Sequence, residues 1–117
     1  MSPEPDCARI DAELARVRGH FIGTLENRIL DLDALVTHCR AAEDPYLGFE
    51  AIARQAHKIA GLAPTLGLQD LGRDAREVEL AAGRITPAGP AHGRAAVLAQ
   101  VEKLLDRMEE VLKTSWH

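Results

Sequence analysis

The chain has 117 residues, a formal net charge of −4, 46% apolar residues and only 3% aromatics. That length and composition predict a single domain, 1–117, with one core of small and branched aliphatic side chains. The basic residues are scattered, which argues against a nucleic-acid face, and no apolar run approaches the roughly 20 residues of a membrane span.

Helix formers dominate and β-branched residues occur singly, so the expected class is all-α. The stretch Met1-Ser2-Pro3-Glu4-Pro5-Asp6 is acidic and lacks the cationic and apolar regions of a secretion signal. Cys7 and Cys39 are far apart and form no paired motif, as in a reduced chain. Together these features predict a cytoplasmic protein.

Asp6 is placed to cap a short first helix over 7–18, which Gly19 would bend or break. A second helix is predicted over 20–42, where Phe21, Leu25, Ile29, Leu32, Leu35, Val36 and Cys39 recur at spacings of three and four. Asp44-Pro45 is a helix-start signal, a capping carboxylate followed by proline at the first helical position.

The third helix is expected over 45–65, with Phe49, Ile52, Ala56, Ile59, Ala63 and Leu66 on its inner face and Gly67 ending it through a positive φ. Pro64 should kink its last turn by deleting the bond to Ala60. A fourth helix over 68–82 repeats Leu68, Leu71, Ala75, Val78 and Ala82. The Gly83–Gly93 segment, with Pro87 and Pro90, reads as the longest loop, with Thr86-Pro87 available as a cap. The last helix, 88–114, carries Leu98, Val101, Leu105, Met108 and Leu112 on one stripe, with Val97, Leu104 and Val111 beside it. Short connections predict an antiparallel up-down-up-down four-helix bundle with a short N-terminal capping helix.

One histidine stands out. At about 100° per residue, His57 lies about 130° from the centre of the inner face of its helix, on the side of Glu50, Arg54, Gly61 and Pro64. Glycine inside a helix costs about 1 kcal/mol relative to alanine. Gly61, one turn after His57, therefore invites a reason, either approach of another molecule or close helix packing. Leu62 projects outward and is the apolar candidate for a docking contact. A lone exposed leucine is also commonplace.

His57, Ile59, Gly61 and Gly67, followed by a leucine-rich helix ending in Val78-Glu79, resemble the histidine-containing phosphotransfer (Hpt) domain family. The motif covers about residues 53–80, and the helical pattern fits around it. The resemblance implies a carrier in bacterial two-component signalling. His57 would be the phosphoacceptor, and Glu79 would orient its imidazole from the next helix. The implied partners are a response-regulator receiver domain and a histidine kinase.

The chain departs from the family pattern at two points. Ala60 stands where lysine is frequent, which leaves Arg54 and Lys58 as candidate substitutes, Arg54 the better placed. Pro64 stands where a small residue is usual. The expected docking surface comprises Ala53, Arg54, Lys58, Gly61, Leu62, Ala63 and Pro64, with part of the second helix.

A neutral imidazole is a competent nucleophile near neutral pH. Nε2 is expected to attack phosphorus while Nδ1 keeps its proton on Glu79. The plain alternative makes Glu79 one more surface carboxylate beside Glu77. The sequence holds no GxxxxGK[ST] loop and no acidic cluster suited to Mg²⁺, so no cofactor is expected and the metal should come from the partner receiver or kinase. The domain is then a phosphotransfer intermediate and not a kinase. No metal site is expected: His20 and His38 lie on the second helix, His38 and Cys39 are adjacent and diverge, and His92 and His117 read as solvated. The competing reading is a non-catalytic helical interaction module that has the fold without the transfer.

Overall fold

The computed structural model describes residues 4–87, 89 and 91–115. Its elements are four α-helices, α1 (Glu4–Ala41), α2 (Tyr46–Leu62), α3 (Gln69–Gly83) and α4 (Ala91–Thr114), with a 3₁₀ turn, Pro64–Leu66, between α2 and α3. Each helix packs on the next and α4 closes back on α1, which makes a four-helix ring. The apolar stripes read from the sequence meet in one core. Leu25, Leu32, Phe49, Ile52, Ile59, Val78, Val101, Leu104 and Met108 are all buried there. Removing those side chains from water is the main stabilising term for helices of this length.

The two N-terminal helices expected from the sequence are one. Gly19 lies inside α1 without a break, and Asp6 is a helical residue there and not a cap. A glycine that meets no neighbour is tolerated in a helix at modest cost, and nothing stands within 4 Å of a Cβ placed at Gly19. No separate capping helix forms. At 1.5 Å per residue, α1 is about 57 Å long against about 36 Å for α4. Its first half therefore runs beyond the bundle, and the molecule measures 63 × 27 × 18 Å.

Other boundaries shift for local reasons. Pro45 is the residue preceding α2, one place later than expected, and the Tyr46 N–H reaches Asp44 Oδ1 only at 3.4 Å. Pro64 does not kink α2, because the helix has already ended at Leu62 and proline opens the 3₁₀ turn. Gly67 closes that turn at φ 80°, in the left-handed region that favours glycine, with its N–H donating to the Pro64 carbonyl at 3.1 Å. Thr86 stands five residues before α4, and its carbonyl accepts from the Gly89 N–H in a turn. Met1–Pro3, Ala88, Pro90 and His117 lie outside the described residues, as does the side chain of His92.

One polar residue is built into the core. Asp74 of α3 is buried and takes Arg107 Nε of α4 at 2.9 Å. The carboxylate raises the Arg107 pKa above its ordinary value, chiefly through this hydrogen bond. Periodicity placed nothing polar here, because the alternation of Leu71, Ala75 and Val78 continues through the position.

Candidate functional site

The site forms where α2 and α3 run side by side. The burial of Ile52, Ala56 and Ile59 on one face of α2 turns the opposite face to solvent. His57 lies on that outer face with its side chain 70% exposed. On α3, Ala75, Val78 and Ala82 point inward, which leaves Glu79 at the boundary, only 19% exposed. Glu79 Oε2 lies 2.6 Å from His57 Nδ1.

The electrostatics decide which atom carries the proton. Burial on its own would push the Glu79 carboxyl up. Hydrogen bonds from His57 and Arg76, reinforced by their charge, outweigh it and hold the pKa below the ordinary carboxylate value. An ionised carboxylate only accepts, so Nδ1–H is the donor, and in the neutral form of the ring the lone pair is on Nε2. Glu79 is itself anchored: Arg76 Nη1 donates to Oε1 at 3.1 Å, one turn back on α3. Arg76 thus joins a chain, Arg76–Glu79–His57, that the sequence reading did not include. The i, i+3 spacing of Arg76 and Glu79 was the signal that could have found it.

His57 and Glu79 form a ridge between two clefts. One is lined by Ala60, Gly61, Pro64, Gly72, Arg73 and Arg76. The other is lined by Glu50, Ala53, Arg54, Lys58 and Gly83. Arg54 and Lys58 therefore lie across the ridge from Gly61. Arg54 is also occupied, its Nη1 donating to Glu50 Oε1 at 2.9 Å. The cations on the Ala60–Gly61 side come from α3, as Arg73 and Arg76.

Gly61 has open space around it: a Cβ there would meet nothing within 4 Å. Helix packing is therefore not what keeps that position bare. Gly72 is the tight one. A Cβ there would stand 2.5 Å from Pro64 Cγ and 2.7 Å from Pro64 Cδ. Proline at 64 and glycine at 72 are thus coupled, and the pair lets the chain turn closely onto α3 beneath the site. Leu62 and Pro64 are exposed beside Gly61, as expected. Ala63 is not part of this surface, since it is fully buried among the core side chains.

The Hpt domain family model matches residues 16–112. The chain belongs to the Hpt domain family. Searches of curated proteins and of solved structures each returned no match. Hpt domains are phosphotransfer carriers of two-component signalling that interact with receiver domains and kinases, and the all-α bundle is the fold of that family. No described helix is long and apolar enough to cross a membrane, and no group of three or more potential metal ligands occurs among the described residues.

Proposed function

We propose that this Hpt domain is a single phosphorelay carrier unit in which His57 accepts a phosphoryl group from a receiver phospho-aspartate or a histidine kinase and passes it to a receiver aspartate. The observation that carries this reading is the 2.6 Å contact from Glu79 Oε2 to His57 Nδ1 on an otherwise solvent-facing imidazole. In the step from phospho-aspartate, the Nε2 lone pair forms the N–P bond. The P–O bond of the acyl phosphate breaks, and the aspartate carboxylate leaves with its electron pair. The proton stays on Nδ1. The ring gains positive charge as the bond forms, and Glu79 stands where it offsets that charge. Arg76 fixes Glu79 in turn and, with Arg73, supplies cations on the side where Ala60 offers none. The Mg²⁺ that phosphoryl transfer needs comes with the partner.

Gly61, Leu62, Pro64, Lys58 and Arg54 form the docking rim around the ridge. The absence of a side chain at Gly61 leaves the partner's aspartate a path to Nε2. Incubation with phosphorylated receiver domains tests the assignment. Acid-labile, alkali-stable phosphate should appear on the wild-type chain and vanish in His57→Gln. Binding of receivers with no labelling under any donor would support the non-catalytic interaction module instead.

A further inference from the structure

We propose that the cleft beside Ala53 and Gly83, across the His57–Glu79 ridge from Gly61, seats an aliphatic side chain of the docking receiver domain, with a carboxylate next to it for Lys58. This seat rests on the carrier reading above and adds an anchor away from the reacting atoms. Gly83 is the observation that carries it. It is the last residue of α3, where a glycine commonly serves as a left-handed cap. It does not do so here: Gly67 is the one described residue with a positive φ, and α3 runs on into Arg84 at φ −87°. Packing does not need the position bare either, since a Cβ at Gly83 would meet nothing within 4 Å. Glycine is a poor helix former, so its presence on α3 has no reason inside the chain. What the missing side chain leaves is a cleft of about 440 Å³ between α2 and α3, which His57 and Glu79 also line.

Chemistry selects the occupant. The lining is mostly carbon, and the long stems of Glu50, Arg54 and Lys58 complete it while their charged ends stay in water. A small-molecule site holds a few buried polar groups placed for its ligand. The two buried side-chain atoms without a partner among the described residues, Asp74 Oδ1 and Arg94 Nε, are not in this cleft. An open apolar cleft with a charged rim suits the anchor side chain of a protein. The rim decides what stands beside that anchor. Arg54 Nη1 donates to Glu50 Oε1 at 2.9 Å, and Glu79 is taken by His57 and Arg76. Lys58 makes no ion pair among the described residues. It is the charge left over for the partner, and it calls for a carboxylate. A receiver anchored here is held on the opposite side of the ridge from Gly61, so anchor and reacting group do not compete for space.

Two phosphoryl donors separate anchoring from chemistry in the full chain. Phosphoramidate is a small donor that reads the reactivity of His57 alone, with His57→Gln as background. A phosphorylated receiver domain reads docking as well. In Gly83→Leu the ratio of receiver-driven to phosphoramidate-driven labelling should fall about tenfold, and in Gly83→Ala by less. Both substitutions put a better helix former at an exposed helical position, so both variants should fold, with circular dichroism as the check. Lys58→Glu should lower the receiver-driven rate at low salt and flatten its salt dependence. Equal losses from both donors in Gly83→Leu would overturn the proposal. So would a ratio that does not move, or a salt dependence untouched by Lys58→Glu. Labelling of the wild type by phosphoramidate but by no receiver would remove the carrier reading itself, and the seat with it.

Discussion

At the level of single residues, the proposed transfer rests on a proton held in place between His57 Nδ1 and Glu79 Oε2. Glu79→Ala removes the acceptor for Nδ1–H and should slow phosphorylation of His57 by about tenfold or more, the range seen when an orienting hydrogen bond to a ligating or nucleophilic histidine is lost. Circular dichroism should stay unchanged. Arg76→Ala should slow the reaction less, since it acts through Glu79, and Arg54→Ala should slow it least. If Arg54→Ala proves the more damaging of the two, the cation assignment is wrong. Glu79 also has a pH signature. Its carboxyl pKa is lowered in the folded state, so its contribution to stability is present above the ordinary carboxylate range. That contribution is lost as pH falls through the lowered value. Urea midpoints measured from neutral to acid pH should fall more steeply for the wild type than for Glu79→Gln.

His57 and Glu79 were legible in the sequence because each is fixed by a local rule, the phase of a helical stripe and the spacing of a motif. Arg76 was not, because its role arises only when α3 lies against α2. Asp74 escaped for a related reason, since its partner Arg107 is 33 residues away on another helix.

Among the elements, the α2–α3 connection is the most constrained. Gly67→Ala should cost about 1 kcal/mol, because an L side chain at positive φ is disfavoured. Gly72→Ala should destabilise further, since its Cβ would stand 2.5 Å from the Pro64 ring, and Pro64→Ala in the same chain should recover part of the loss. Additive effects in chemical denaturation would contradict this coupling. The inner faces of α2, α3 and α4 were readable because burial imposes a 3.6-residue period on them. Helix ends were less readable. Glycine and proline signal that a helix can stop, but whether it does depends on neighbours. Gly19, in open surroundings, passes unnoticed inside α1. Pro64, beside Gly72, finds α2 already ended.

For the whole molecule, the bundle is a closed ring of helices with one arm. The α3–α4 contact carries the ion pair between buried Asp74 and half-buried Arg107. Arg107→Met would leave the buried carboxylate with no hydrogen bond and only Arg73 Nε, 3.8 Å from Oδ1, as counter-charge. It should lower the denaturation midpoint more than Arg40→Ala, whose partner Glu102 is exposed. The arm contributes little to that stability, so amides of residues 7–18 should exchange faster than those of 25–40 in dilute solution. On the proposed function, the bundle's task is to hold one imidazole outward with its proton turned inward.

The most direct test of that task is ¹⁵N and ³¹P NMR of the chain after transfer from a phosphorylated receiver. The account predicts one phosphorus coupled to Nε2 of His57, with Nδ1 still protonated. Phosphorus on Nδ1, or on any other residue while His57 stays unmodified, would contradict it.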